Sequence, residues 1–320
     1  MLLSDREREE QRIDSDPIPA AVTDTGCERE LNEDRYAVIE GTSGVTWVVC
    51  DGMGGVSGGE LAAQIAIEAM RRDLTLEPVG ETEACLRHSI SEANRIVVLR
   101  RQNQAFSQMG TTVVAALITG EEIVIGHVGD SRAYLVRDGA IQQLTKDHTY
   151  VQELVDRGDI KIEEALSHPQ AHVLTRAIGA EASVRVDSSR FWIWPLQAGN
   201  ISDYIVLCSD GLYSLVSEGE IASSVSTQSP QSACSQLVEL AKTRGGFDNI
   251  TLAVIPIGGE LRKEPPVGWE GKSKKVSPVV TNNDSDPQPR SYLRLFIAIV
   301  VLSAMASLLV VLITFFALTQ

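Results

Sequence analysis

Short runs rich in Val, Ile, Thr and Ala stop at Gly or Asp along the middle of the chain: GVTWVVCD, TTVVAALIT, EEIVIGHVGD, RAYLVR, AIQQLT, DYIVLCSD and NITLAVIPI. β-branched side chains suit a pleated surface, and Gly or Asp ends it, so each run predicts a strand. Apolar positions recur instead at three- and four-residue spacing in GELAAQIAIEAMRRDL, ETEACLRHSISEANRIVVLRRQ and QSACSQLVELAKTRG, which predict helices. The strands follow one another through short turns and the first two helices arrive as a block. That order predicts an α+β fold of mostly antiparallel sheets with packed helices, not alternating βαβ units.

The ends of the chain break this pattern. Residues 1–19 are dense in charge and have no apolar segment behind a basic start, so they read as a disordered leader and not as a signal peptide. The globular part is placed at residues 20–257. Residues 258–292, with KEPPVGWEGKSKK and TNNDSDPQP, read as a flexible linker. Residues 293–318 form the predicted transmembrane helix, and LFIAIVVLSAMASLLVVLITFFAL within it carries no charged side chain. At about 1.5 Å per residue that stretch reaches about 36 Å, against about 30 Å of hydrocarbon. Arg290 and Arg294 on its inner flank place the globular part on the cytoplasmic face of the membrane. Ending the chain near Gly258 is expected to leave a soluble, active protein.

Composition narrows the chemistry. A formal charge of −15 and 43% hydrophobic residues fit a globular, acidic protein. That charge argues against a general nucleic-acid binder, which needs a basic face, while leaving metal cations welcome. Five scattered cysteines (Cys27, Cys50, Cys85, Cys208 and Cys234) form no Cys-x-x-Cys pair, which suggests neither a disulfide framework nor a cysteine zinc site. None precedes the glycine-rich loop and arginine that a cysteine-dependent phosphatase would need. The histidines offer no His-Glu-x-x-His site; His148 and His172 stand out only because both lie in a stretch bordering a group of strand-end carboxylates.

Asp-Gly ordinarily marks a tight turn, and Asp138-Gly139 in AYLVRDGAIQQLT has the two-residue spacing of a hairpin. Asp51-Gly52 in VVCDGMGG and Asp210-Gly211 in IVLCSDGLYSL instead end strands and open into helix-like stretches. Asp130 in IGHVGDSR, Asp248 in GGFDNITLAV and the Glu33-Asp34 pair in RELNEDRY repeat the theme of carboxylates at strand ends. Such a cluster repels itself unless cations hold it together, and an all-oxygen donor set suits Mg²⁺ or Mn²⁺.

These segments, together with Gly110-Thr111-Thr112, occur in the order found in the metal-dependent serine/threonine protein phosphatases of type 2C, and residues 20–257 resemble the bacterial members of that family. The resemblance implies a sandwich of two antiparallel sheets flanked by helices, and two Mn²⁺ or Mg²⁺ ions in a cleft at one end. By position it implies that Asp51 bridges both ions, with the Gly52 carbonyl, Asp210 and Asp248 completing the protein ligands. Glu33 and Asp34 bind an ion directly or through water, Asp130 helps hold a third, weaker ion, and Arg29 grips the substrate phosphate. The implied reaction is hydrolysis of phosphoserine and phosphothreonine on proteins by a metal-activated water. A partner serine/threonine kinase is expected.

The sequence departs from its relatives at Met53, where eukaryotic members carry a histidine, and at Val56, where many bacterial members carry one. The proton donor to the leaving group is therefore unassigned. Residues 147–180 match the family's flap beside the cleft. Two alternatives accompany the enzyme reading: a membrane-tethered phosphoprotein-binding module without turnover, and a phosphatase dedicated to one anti-sigma-type antagonist.

Overall fold

The computed structural model describes residues 17–76, 80–165, 167–196 and 202–265. In chain order these form β1 (Ala20–Asp24), β2 (Arg35–Glu40), β3 (Val45–Cys50), the short β4 (Gly52–Met53), α1 (Gly55–Leu74), α2 (Thr82–Arg101), β5 (Gly110–Thr111), β6 (Val113–Ile118), β7 (Glu122–Val128), β8 (Arg132–Arg137) and β9 (Ala140–Gln143). Then come α3 (Tyr150–Arg157), α4 (Ile162–Ala165), β10 (Asp187–Trp194), β11 (Tyr204–Cys208), α5 (Asp210–Tyr213), α6 (Glu218–Thr227), α7 (Pro230–Thr243), β12 (Ile250–Pro256) and β13 (Glu260–Arg262). One sheet runs in the order β1, β12, β11, β8, β9 and the other β13, β10, β7, β6, β3, β2, with antiparallel pairing throughout.

Alternation along each strand builds three apolar layers. In β3, Trp47 and Val49 face the other sheet, while Val48 and Cys50 face α1 and α2. In β6, Val114 and Ala116 point between the sheets, and Val113, Ala115 and Leu117 point to the same helices. In the other sheet Ile205 and Leu207 of β11 enter the central layer, and Val206 and Cys208 pack under α6 and α7. A strand covered on both faces needs no polar side, which is why these runs look continuously apolar in the sequence. Cys50, Cys85, Cys208 and Cys234 are buried and Cys27 is exposed, and among the described residues no disulfide joins them.

The Asp138-Gly139 turn takes φ of 49° and 77°, the double positive-φ geometry of a two-residue hairpin joining β8 to β9. Strands β1, β2, β10 and β13 and helix α6 have no counterpart among the runs singled out in the sequence. β2 shows why: in RYAVIE only Ala37 and Ile39 are buried, because this is an edge strand with one face in water.

The globular part extends past residue 257. β13 pairs with β10 through Trp192↔Arg262, Ile193↔Leu261 and Trp194↔Glu260, and Leu261 is buried in the central layer. The boundary drawn in the sequence stopped at the last long apolar run, and three strand residues flanked by charge carry too little periodicity to register. Among the described residues no helix is long and apolar enough to cross a membrane. Most of the leader, most of the linker and the proposed span at 293–318 lie outside the described residues.

Candidate active site

Antiparallel register brings the sequence-predicted carboxylates to one end of the sandwich. Arg35 at the start of β2 sits opposite Cys50 at the end of β3, so Asp34 and Asp51 flank one rung. Cys208 at the end of β11 pairs with Leu252 near the start of β12, which brings the loops bearing Asp210 and Asp248 to the same edge. β7 ends beside the start of β6 (Val113↔Val128) and then turns at Gly129, φ 106°, into Asp130.

Polar contacts fix these corners. The Asp51 carbonyl accepts from Thr112 N (2.8 Å) and Thr111 Oγ1 (2.8 Å), and Asp51 N donates to Thr112 Oγ1 (3.0 Å). Thr112 Oγ1 in turn lies 2.6 Å from Ser131 Oγ, beside Asp130. Gly52 is required by close approach: a Cβ there would lie 2.2 Å from the Gly59 carbonyl oxygen, so strand and helix start could not meet. Asp34, buried, accepts from Ser209 Oγ at 2.7 Å. Tyr213 donates its hydroxyl to the Asp130 carbonyl at 3.0 Å.

Arg29, half exposed, donates through Nη2 to Asp248 Oδ2 at 2.7 Å, so the proposed phosphate grip and a proposed metal ligand are neighbours. Glu33 Oε1 accepts from Gly59 N at 3.1 Å. His172 reaches the site, its Nδ1 3.2 Å from Asp210 Oδ2, and that hydrogen bond holds its pKa above the usual imidazole value. His148 does not reach it. Its Nδ1 accepts from Gly129 N (3.0 Å), its ring stacks on His127 with centroids 4.6 Å apart, and burial pushes its pKa down to about 4.

Burial and mutual repulsion dominate the electrostatics. Removal from water pushes the Asp34 carboxyl up to about 7, further raised by Asp210 and Asp248 and partly opposed by hydrogen bonds from Ser209 and Thr251. Burial, then Asp210 and Asp147, pushes Asp130 up to about 8. Burial, followed by Asp34, Asp210, Asp130 and Asp248, holds Asp51 well above the carboxylate range. Burial and Asp210 also raise Asp248, against the pull of Arg29.

Stability should depend on pH accordingly. In chelator the folded chain holds protons on Asp34 and Asp130 that the unfolded chain has released above about pH 4. Their contribution is full below that value and is lost as pH rises through about 7 and about 8. The Tm of the EDTA-treated protein should fall between about pH 5 and about pH 8.5, and Mn²⁺ should remove most of the fall. A Tm that is flat or rising over that window in chelator contradicts the carboxylate repulsion.

The site suits hard divalent cations on two observations. Asp210 Oδ1 is buried without a hydrogen-bond partner among the described residues. The surrounding donors are carboxylate and carbonyl oxygens, the set that Mg²⁺ and Mn²⁺ take. Among the described residues no three His, Cys, Asp or Glu side chains close around one point.

Asn249 is the contributor that the sequence reading passed over. Its Oδ1 accepts from Glu33 N (2.7 Å) and its Nδ2 donates to the carbonyls of Thr25 (2.9 Å) and Leu31 (3.0 Å). It therefore ties the loop carrying Arg29 and Glu33 to the start of β12. Its position in DNIT was the only available signal, since partners more than 200 positions away leave no local pattern.

Comparison with known proteins bears on the same region. The Protein phosphatase 2C family model matches residues 28–242. The serine/threonine phosphatase stp of Listeria welshimeri is 37% identical over 240 residues, covering 73% of this chain and 93% of that protein. The crystal structure of the Mycobacterium tuberculosis serine/threonine phosphatase PstP/Ppp superposes with a TM-score of 0.67 at 36% identity, over 75% of this chain and 98% of that one. A structure of the catalytic domain of PstP in complex with two manganese ions gives a TM-score of 0.63 at 34% identity, over 75% and 97%.

Proposed function

This chain belongs to the protein phosphatase 2C family and is a serine/threonine protein phosphatase, and from that premise we propose that it hydrolyses phosphoserine and phosphothreonine with two Mn²⁺ or Mg²⁺ ions. Asp51, the Gly52 carbonyl, Asp210 and Asp248 would hold the pair, Asp34 would assist, and Asp130 would help hold a third, weaker ion. The observation that carries this reading is the buried Asp210 Oδ1, which has no hydrogen-bond partner among the described residues and belongs to a group of mutually repelling carboxylates. The two manganese ions in the PstP catalytic domain support it by likeness. Bound there, the cations would supply Lewis acidity toward water and the phosphoryl oxygens.

The chain's own groups do the rest. Arg29 uses Nη2 on Asp248 and is 48% exposed, which leaves the remainder of its fork able to take phosphate oxygens bidentately. Thr111 and Thr112 pin the Asp51 main chain, which fixes the point from which its carboxylate extends. Burial around Asp34 and Asp130 excludes water that would screen those charges.

The natural substrates are read as phosphorylated proteins at the cytoplasmic face of a membrane, among them a partner serine/threonine kinase. The support is the uncharged stretch 295–318. The purified protein should hydrolyse p-nitrophenyl phosphate and phosphothreonine peptides with Mn²⁺ or Mg²⁺ and lose turnover in EDTA. Full activity after rigorous chelation would sink the metal mechanism.

A further inference from the structure

Beside the carboxylates, and separate from them, lies a cavity of about 160 Å³ beneath the flap. Its apolar wall is Val151 of α3, Ile162 and Ala165 of α4, and Ala171. Its far wall is shared with the active site: His172 lines it while touching Asp210, and Tyr213 lines it while donating to the Asp130 carbonyl. A cavity of about 150 Å³ accommodates a benzene ring, so this one takes a single long side chain.

The charge of the lining selects which side chain. Arg132 is the one lysine or arginine there, and each of its three guanidinium nitrogens already has a partner. Nε and Nη2 grip both oxygens of Asp147 (3.0, 3.0 and 2.7 Å), Nη1 reaches Tyr134 (3.0 Å), and its face lies 3.7 Å over the Tyr213 ring. Gln143 Nε2 also donates to Asp147, at 2.9 Å. The Arg132–Asp147 pair is thus internally neutral. Glu218, also in the lining, is exposed, and its carboxylate makes no ion pair or hydrogen bond among the described residues.

We propose that this cavity is a substrate subsite for a basic side chain, arginine or lysine, flanking the phosphorylated residue. The methylene stem packs on Val151, Ile162 and Ala165, and the cationic head meets Glu218. A chain of net charge −15 favours the same sign of partner. An acidic neighbour would meet Glu218 with like charge, and an apolar neighbour would leave it unpaired. The assignment rests on the phosphatase reading for its orientation toward the reacting phosphate.

Two measurements test it. Phosphothreonine peptides in an alanine background, with one arginine moved through the four positions on either side, are assayed for kcat/KM in Mn²⁺. One position should gain about fivefold over its alanine counterpart, the size of one partly exposed ion pair. That ratio should collapse toward one in Glu218→Gln, which removes the charge, and in Ala165→Phe, which fills the cavity and keeps the charge. A flat scan in the unaltered protein, a preference for norleucine over arginine, or a preference that survives both substitutions overturns the proposal.

The second measurement is independent of turnover. N-acetyl-arginine methylamide should shift the NMR resonances of Ile162 and Ala171, and should fail to do so in Glu218→Gln. Absence of those shifts overturns the subsite whatever the kinetics. Their presence in a protein without turnover would count against the phosphatase reading and leave the subsite standing.

Discussion

Asp210→Asn and Asp248→Asn should each lower kcat/KM toward phosphothreonine peptides by about a thousandfold or more, while the metal-free protein stays folded. The rate loss stems from the role proposed for these oxygens. A cation held by fewer charges binds less tightly and stabilises the phosphoryl transition state less, and several kcal/mol of such stabilisation corresponds to that factor. The stability expectation has the opposite sign. Asp248, Asp51 and Asp34 are each raised by burial first and by neighbouring carboxylates in addition, so deleting one charge relieves repulsion when no cation is present. In EDTA both variants should therefore unfold at or above the temperature of the parent protein. A variant that lost activity and also lost stability in EDTA would indicate a structural role in place of a ligand role.

Asp138→Asn supplies the control, because Asp138 shares the Asp-Gly dipeptide and none of the surroundings. It stands at φ 49° in the turn between β8 and β9, a conformation asparagine adopts as readily as aspartate. Activity and stability should stay within about twofold and about 0.5 kcal/mol of the parent. Equal damage at Asp138 and Asp210 would mean that turn aspartates and site aspartates had been wrongly separated.

The two backbone settings of Asp-Gly could be told apart in the sequence because they differ in the residues immediately C-terminal to the dipeptide. After Asp138-Gly139 a second strand begins at once, whereas after Asp210-Gly211 the chain continues as α5. Strands buried on both faces were equally legible, since β3, β6, β11 and β12 read as apolar runs interrupted at most by one threonine. Legibility failed where an element is defined by a distant partner. β10, DSSRFWIW, starts with four polar or charged residues because its first half lies along the rim, where Arg190 meets Glu81 and Glu122. Asn249, Ser209 and Tyr213 owe their roles to contacts with residues 83 to 224 positions away. Nothing local distinguishes such residues from ordinary polar or aromatic fillers. His172 is intermediate: its place in the flap pointed toward the site, but only the fold shows that it meets Asp210 and leaves His148 behind Gly129.

The C-terminal edge of the globular part gives the second large effect. A chain ending at Gly258 should be markedly destabilised, whereas one ending at Pro265 should fold and turn over normally. The difference is β13. Leu261 is 4% exposed, its N–H donates to Asp203 Oδ2 at 2.6 Å, and its carbonyl accepts from Arg137 Nη2 at 2.7 Å. Asp203 is buried and is also gripped by Arg137 Nε and Nη2, so this short strand closes a charged latch between β8 and the opposite sheet. Burial of one leucine and two charge-assisted hydrogen bonds together amount to about 4–6 kcal/mol. Against a total stability of about 5–15 kcal/mol that is a large fraction, and Tm should fall by about 10 °C or more. Removing only the residues after Pro265 touches none of these contacts, and it also removes the stretch 295–318 proposed as a membrane anchor. The chain ending at Pro265 should accordingly match the full-length protein in kcat/KM on soluble peptides and differ from it only in the cell fraction where it is found. Comparable Tm values for chains ending at Gly258 and Pro265 would show that the latch contributes little. Full-length protein recovered in the soluble fraction would remove the anchor from the proposal and leave the phosphatase as it stands.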